Sequence, residues 1–204
     1  MNADISVKEI RLETENLILR PFRDSDLEDF YKYASQEGVG EMAGWHHHKS
    51  VEESKGILDS FIREERVLAL CLKEEGRVIG SLGIEMYGME SALTEFAGYR
   101  GRELGFVLSR EHWGKGLMTE AVKAVTELLF SRYELDFLLC GYYNFNQASK
   151  RVQEKCGFKP YRSLVMETAM GTKEKGTLNL LINPKKNIRF EFSHPETLIY
   201  KEEI

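Results

Sequence analysis

The 204-residue chain predicts a mixed α/β fold in one domain, residues 1–204, with about four helices flanking one mixed sheet. A strand-like run feeds through a glycine loop into a helix and then into a second apolar run, which together make a strand-helix-strand unit. Two capped amphipathic segments and a hairpin pattern stand ahead of that unit, and two more strand-like runs follow it. Hydrophobic residues make up 42% and charged ones 30%, the balance of a globular chain rather than a disordered one.

Each element has a local cause. Ser25-Asp26-Leu27-Glu28 reads as a capping box, and Leu27, Phe30, Tyr31 and Ala34 then fall at i, i+3, i+4 and i+7, one face of a first helix. Ser50-Val51-Glu52-Glu53 repeats the signature before a second helix carrying Val51, Leu58, Phe61 and Ile62. Gly38, Gly40 and Gly44 loosen the loop between the two. Residues 67–73 and 78–86 are rich in apolar and β-branched side chains and flank Glu74-Glu75-Gly76-Arg77, a hairpin. Leu104, Phe106 and Leu108 alternate along 102–109 with the period of a strand, whereas Val122, Val125, Leu128 and Leu129 recur at helical spacing. Residues 135–141 form the short apolar run of a strand inside a sheet. Asn146 caps a fourth helix, and Gly157-Phe158 stops it in the Schellman manner, glycine in the left-handed region and an apolar residue after it. Residues 161–168 and 176–182 read as closing strands around Lys173-Glu174-Lys175-Gly176. Residues 188–200 alternate on both sides of His194-Pro195, an extra C-terminal hairpin.

The junction between the strand at 102–109 and the third helix carries the most chemistry. It reads Glu111-His112-Trp113-Gly114-Lys115-Gly116-Leu117-Met118-Thr119-Glu120-Ala121. Gly114 and Gly116 have no Cβ, so they can adopt positive φ and let a ligand approach the backbone, while the N–H groups of the helix's first turn point at it. A phosphate fits such a cradle, although a bare connecting turn would show the same two glycines. The dinucleotide fingerprint is incomplete, since Thr119 stands where its third glycine belongs and no strand-helix-strand unit opens the chain. No Walker pattern occurs.

These residues resemble the acetyl-CoA loop of the GNAT superfamily of N-acetyltransferases, Q/R-x-x-G-x-G/A, with Glu111 in place of Gln or Arg. That departure matters little where backbone N–H groups do the binding. The Trp113-Gly114-Lys115-Gly116-x-x-Thr119-Glu120-Ala121 continuation resembles the Rim-type branch, which contains ribosomal-protein N-terminal acetyltransferases. Asn146-Gln147-Ala148-Ser149-Lys150-Arg151-Val152-Gln153-Glu154-Lys155-Cys156-Gly157-Phe158 is similar to that branch's N-x-x-S helix ending in Gly-Phe, and Leu17-Ile18-Leu19-Arg20-Pro21-Phe22 to its opening strand. The resemblance covers roughly residues 14–182. It implies a central, mostly antiparallel splayed sheet, direct attack of an amine on acetyl-CoA, and a C-terminal extension at 185–204 beyond the core.

It also implies a site. The pantetheine arm of acetyl-CoA would run along the strand end at Phe106, Val107 and Leu108, with Trp113, Gly114, Lys115, Gly116, Leu117, Met118 and Thr119 at its phosphates. Asn146 is a plain helix cap or a cofactor contact, or both. Ser149 aligns with the serine taken as general acid to the CoA sulfur; a polar first-turn residue is its other reading. Glu103, on the cofactor strand with its side chain opposite Leu104 and Phe106, is the candidate base and Glu167 the second candidate, each also readable as a solvated carboxylate. Lys115, Lys150 and Arg151 meet the CoA phosphates or lie on solvated faces, and only Lys115 sits inside the loop.

The resemblance makes the acceptor a primary amine, first of all a protein N-terminus. A small amine such as an antibiotic or polyamine is the alternative, and a non-catalytic acyl-CoA-binding protein would keep the glycine loop alone. Trp45-His46-His47-His48 invites a metal reading, but adjacent loop histidines do not converge on one ion without fold support, and no carboxylate or cysteine cluster accompanies them, so no metal is expected. Trp45 and one histidine instead line the acceptor pocket in this reading, where Glu41 would attract an amine.

A net charge of −5 and a pI near 5.7 argue against a nucleic-acid surface. Cys71, Cys140 and Cys156 are odd in number, widely spaced and set among apolar residues, which points to buried thiols and a reducing cytoplasm. The longest apolar run, residues 67–72, is far short of the ~20 residues a membrane span needs, and Met1-Asn2-Ala3-Asp4-Ile5-Ser6 lacks the basic start and apolar core expected of a secretion signal. The expectation is a soluble cytoplasmic protein. A terminal hairpin with Phe190, Phe192, Leu198, Ile199 and Tyr200 has an apolar face to cover, which leans toward a homodimer.

Overall fold

The structure, a computed structural model, describes residues 1–88 and 93–188 and the backbone of 198–201. The fold is mixed α/β, with four α-helices and a mostly antiparallel arrangement of strands. The chain divides into two compact units, one of Ile5–Ile84 and Gly105–Val125, the other of Met1–Asp4, Glu85–Leu104 and Thr126–Ile204.

The first unit holds β1 (Leu12–Glu13), β2 (Leu17–Pro21), α1 (Leu27–Ala34), α2 (Val51–Glu64), β3 (Val67–Leu72) and β4 (Val78–Glu85). β1 to β4 run antiparallel in sequence order, Leu19 opposite Leu12 and Leu70, and Leu68 opposite Leu82. The second half of β5 (Gly101–Leu108) and the start of α3 (Leu117–Ser131) belong here too. The Ser109 N–H donates to the Ile79 carbonyl at 2.7 Å and fastens the end of β5 to β4. β3 is buried on both faces: Val67, Ala69 and Cys71 share one cluster with Phe30, Tyr33 and Ala34 of α1 and Leu58 of α2, while Leu68 and Leu70 are fully buried as well. Hence its sequence is an unbroken apolar run rather than an alternation.

Two details differ from the sequence reading. Ser25 does not cap α1. Asp26 reaches back instead, accepting the Arg23 N–H at 2.8 Å and a two-pronged contact from the Arg20 guanidinium at 2.7 and 2.8 Å. A carboxylate offers four lone-pair sites, so one residue both caps the turn and anchors it to β2. Ser50 does cap α2, accepting the Glu53 N–H at 3.2 Å. Val51, however, is 42% exposed, because it stands in the first turn beyond Ser54 and Leu58, where the buried face of α2 begins.

The second unit holds the first half of β5, β6 (Phe137–Tyr143), α4 (Gln147–Lys155), β7 (Lys159–Glu167), β8 (Lys173–Ile182) and β9 (Leu198–Lys201). β5 and β6 are parallel, with Arg102 opposite Leu138, and α3 lies between them in the chain as the strand-helix-strand pattern predicts. β8 pairs antiparallel with β6 and with β7. Phe96 stacks on Phe137 with ring centroids 4.2 Å apart, at the centre of a cluster with Tyr87, Leu139, Leu164 and Leu178.

The turn between the closing strands also differs. Lys173, Glu174, Lys175 and Gly176 lie within β8, and the chain reverses at 168–172, where the Thr168 N–H donates to the Thr172 carbonyl, the two hydroxyls meet at 2.9 Å and Gly171 takes φ 77°. Gly176 is a strand residue, and its place calls for glycine because Met166 and the Tyr142 carbonyl occupy the space a Cβ would need. Of the C-terminal hairpin, β9 pairs parallel with β7, Val165 opposite Ile199. Its other arm and its His194-Pro195 turn lie outside the described residues, as do the side chains of the apolar face expected there. Among the described residues no helix is long and apolar enough to cross a membrane.

Candidate active site

In the first unit the end of β5 and the head of α3 enclose the glycine loop. The Trp113 indole Nε1 donates to the Leu108 carbonyl at 2.7 Å, tying the loop back to the strand it leaves. Gly114 and Gly116 take φ 75° and 82°, and a Cβ built on either would meet nothing within 4 Å. Backbone here is bent into a conformation that side chains resist, and the space beside it is open. The first bond of α3 runs from the Glu120 N–H to the Gly116 carbonyl at 3.0 Å, so Leu117 and Met118 present their N–H groups ahead of the helical ladder. Lys115 is exposed within the loop, Thr119 is half-buried on the helix's first turn, and Leu117 and Met118 bury their side chains beneath it.

Residues that the sequence did not flag hold this region in place. The Gln36 side-chain oxygen accepts the Arg110 N–H at 2.9 Å and the Ser109 hydroxyl at 3.3 Å, clamping the turn that leaves β5. Glu120 accepts the Asn16 N–H at 2.7 Å and its amide at 2.8 Å. Burial alone would raise the Glu120 pKa, but the Asn16 bonds, with Thr14 and the Lys73 charge, outweigh it and hold the carboxyl below its ordinary value. His112 is buried, and burial lowers its pKa; its Nδ1 has no hydrogen-bond partner among the described residues.

The aromatic loop between α1 and α2 lies in the same unit. Trp45 packs against the cluster that also takes Val107 of β5. Its three histidines have three surroundings. His48 is a buried core residue with Nδ1 2.7 Å from the Ser54 hydroxyl, and burial lowers its pKa. His47 places Nδ1 2.8 Å from Glu41 and Nε2 2.6 Å from the Lys49 amine, while His46 is exposed. Glu41 also accepts the Gly38 N–H at 2.8 Å and the His47 N–H at 3.1 Å. Burial pushes its pKa up, but the His47 ring and these backbone donors prevail and hold it down at about 2. Among the described residues no group of three or more histidines, cysteines and carboxylates is placed to hold a metal.

In the second unit Asn146 caps α4, its side-chain oxygen accepting the Ser149 N–H at 3.0 Å. The helix ends as its sequence predicts: the Phe158 N–H donates to the Gln153 carbonyl and the Gly157 N–H to the Glu154 carbonyl, with Gly157 at φ 92°. Ser149 is half-buried, and its Oγ accepts from Gln153 Nε2 at 3.1 Å. Glu103, half-buried on β5, carries its carboxylate to β6, Oε1 lying 3.6 Å from where a Cβ on Gly141 would stand. Gln153 also donates to the Gly141 carbonyl, at 3.1 Å, so Glu103 and the Ser149 turn of α4 meet β6 at the same residue. Glu167 ends β7 opposite Lys173 and Lys201, away from that residue along the strand.

Comparison with known proteins gives these elements a context. The family described as "Acetyltransferase (GNAT) domain" matches residues 16–159. The uncharacterized N-acetyltransferase YoaA of Bacillus subtilis (strain 168) is 26% identical over 153 residues, 72% of this chain and 82% of that protein. Among solved structures, a GNAT-family acetyltransferase from Bacillus anthracis superposes with a TM-score of 0.74 at 18% identity, covering 85% of this chain and 99% of that one. A ribosomal-protein-S5-alanine acetyltransferase from Vibrio fischeri gives 0.65 at 20% identity, covering 86% and 98%. A spermidine N-acetyltransferase from Vibrio cholerae, solved with CoA and spermine, gives 0.67 at 18% identity, covering 83% and 97%.

Proposed function

The chain belongs to the GNAT acetyltransferases, and from that premise we propose that it transfers acetyl from acetyl-CoA directly to a primary amine, in first place a protein N-terminal amine. The observation that carries the donor half is the open space beside Gly114 and Gly116, two positive-φ glycines at the head of α3. A Cβ at either position would stand in the ligand's way without touching protein, and a pyrophosphate with its hydrogen-bond acceptors suits the backbone N–H groups there. In this reading Trp113, Gly114, Lys115, Gly116, Leu117, Met118 and Thr119 hold the phosphates. Backbone groups of Phe106, Val107 and Leu108 take the pantetheine arm and polarise the acetyl carbonyl. Acetyl-CoA supplies an activated acetyl group on a thiol leaving group.

In this reading Ser149 is the acid and Glu103 the base. Ser149 donates to the sulfur as it leaves, with Asn146 setting the first turn of α4 that presents it. Glu103 takes the proton of the attacking amine, directly or through water, and Glu167 is the second candidate. The demand on that base depends on the acceptor. At pH 7, freeing an α-amine costs about 1 kcal/mol and freeing a lysine-type amine nearly 5, so a half-exposed carboxylate suffices for an N-terminus. A fold shared with a ribosomal-protein-alanine acetyltransferase supports that acceptor. The second reading, a polyamine, is favoured by the net charge of −5 and by the spermidine acetyltransferase among the similar folds.

Calorimetric titration with acetyl-CoA tests the donor, with micromolar affinity expected; absence of binding would end the proposal. The acceptor is tested by following thiol release with peptides of varied N-terminal residue beside a panel of small amines. Turnover on peptides alone supports the first reading, and turnover on spermine or spermidine alone replaces it with the second.

A further inference from the structure

Gln153 is a fully buried glutamine on α4 whose side chain makes three hydrogen bonds. Nε2 donates to the Gly141 carbonyl and to Ser149 Oγ, each at 3.1 Å, and Oε1 accepts from Asn179 Nδ2 at 2.8 Å. Chemistry fixes this orientation. A backbone carbonyl only accepts, so the nitrogen faces Gly141, and the oxygen left on the other side requires the Asn179 nitrogen opposite it. Both Nε2 hydrogens are then committed, one to Gly141 and one to Ser149. Ser149 Oγ is therefore an acceptor toward Gln153, and its own proton points elsewhere.

We propose that Gln153 is a positioning residue for acetyl transfer: its buried amide holds the Ser149 hydroxyl as a one-way hydrogen-bond donor toward the leaving sulfur. This rests on Ser149 being the acid. As the amine nitrogen bonds to the acetyl carbon and the C–S bond breaks, the electron pair goes to sulfur. Ser149 O–H meets the growing charge and gives its proton to the sulfur, Glu103 takes the proton lost by the nitrogen, and solvent carries that proton back to Ser149, so that amine and thioester become amide and thiol. Donors lined up in one direction polarise one another, so the chain from Asn179 through Gln153 strengthens that final O–H as a donor. An apolar side chain at 153 would have filled the same buried place without desolvating an amide. Local signals did not reveal the arrangement, because Gly141 and Asn179 come from β6 and β8.

CoA itself reports the sulfur's surroundings without any acceptor. In the binary complex the ultraviolet thiolate band of CoA is followed against pH for wild type, Ser149→Ala, Gln153→Leu and the double variant. Bound CoA should ionise at lower pH than free CoA in wild type. Each single variant should move that titration up by about one pH unit, tenfold in acidity, and the double variant no further than Ser149→Ala. A purely structural tie between α4, β6 and β8 would lower thermal stability and leave the titration where it was. Gln153→Glu keeps the acceptor for Asn179 and turns the Ser149 proton inward, so it should shift the titration upward as well, and it decides the matter if Gln153→Leu does not fold.

An unshifted titration in a folded, CoA-binding Gln153 variant, or a double-variant shift equal to the sum of the single ones, overturns the role of Gln153 while leaving Ser149 as the acid. An unshifted titration in Ser149→Ala removes the acid itself, and the proposal with it. No binding of CoA by wild type removes both along with the donor reading.

Discussion

Trp113 donates its indole N–H to the carbonyl of Leu108 at 2.7 Å, so the side chain that opens the glycine loop is bonded to the last residue of the strand before it. The intervening turn, 109–112, is thereby closed from the side chain as well as from the backbone, where the His112 N–H donates to the Ser109 carbonyl at 3.0 Å. Trp113→Phe keeps an aromatic ring and removes the bond. Loss of one such bond at a 38% exposed residue should cost about 1 kcal/mol of loop order, which appears as roughly fivefold weaker acetyl-CoA binding by calorimetry. Unchanged affinity would show that the loop holds its shape without the indole.

Gly114 at φ 75° separates backbone strain from ligand exclusion, because Gly76, in the turn between β3 and β4, has nearly the same φ of 70° and equal open space. A β-branched residue at either position costs on the order of 1–3 kcal/mol in the left-handed region. Gly114→Val should therefore lower the melting temperature as Gly76→Val does and in addition abolish acetyl-CoA binding, whereas Gly76→Val should bind normally. Equal affinity in the two variants would take the loop out of the donor site.

What could be read from the chain alone follows sequence distance. Asn146, Ser149, Gly157 and Phe158 act within one helix and its two ends, so cap, first turn and stop were all legible in a single stretch. The closing turn was not, since the charged Lys173–Lys175 run resembles a turn, while the reversal is closed by Thr168 meeting Thr172. Gln153 and Gln36 were illegible for a related reason. A glutamine's partners, here on β6, on β8 and beyond β5, are assigned only once distant segments meet. The His46–His48 run does not act as a unit, because these adjacent loop residues point into solvent, toward a carboxylate and into a core.

Asp26 should carry a large share of the stability of the first unit's opening turn. Its side chain and that of Arg20 are 7% and 12% exposed, and the Asp26 hydrogen bond is the main cause holding the Arg20 pKa above its ordinary value. Asp26→Ala leaves a mostly buried guanidinium without its partner and the Arg23 N–H without a cap, which should cost about 3 kcal/mol. Asp26→Asn keeps an acceptor and should cost less. Urea unfolding checks this through a fall in the midpoint at constant slope. A loss under 1 kcal/mol in Asp26→Ala would mean that water replaces the carboxylate.

The three free thiols should differ in reactivity. Cys140 is buried, and burial first, then the Glu103 and Cys156 charges, push its thiol well up; burial also pushes Cys71 up, despite nearby Arg20. Only thiolates react readily, so a disulfide reagent at pH 7.5 should label Cys156, which is half-buried, and reach the other two only in denaturant. Counting thiols by absorbance before and after unfolding, with Cys156→Ser to identify the first, decides it. Rapid native labelling of Cys140 would show β6 opening on the timescale of the assay.

Glu41 links stability to acid pH. Its folded pKa of about 2 lies below the ordinary 4.5, so the folded chain releases this proton more readily than the unfolded one. The resulting stabilisation is complete above about pH 4.5 and is lost as the pH falls toward about 2, where folded and unfolded chains are both protonated. The side chain is 32% exposed, so screening by solvent leaves about 1 kcal/mol of it. Glu41→Gln should therefore melt about 2–4 °C below wild type at pH 7, and the gap should narrow steadily as the pH falls from about 4.5 to about 3. His47→Ala removes the ring that does most to lower the pKa and should reproduce part of the same narrowing, since the Gly38 and His47 N–H groups still favour the charged form. A gap between wild type and Glu41→Gln that stays constant from pH 7 to pH 3 would mean that the carboxylate's charge is not what stabilises this loop.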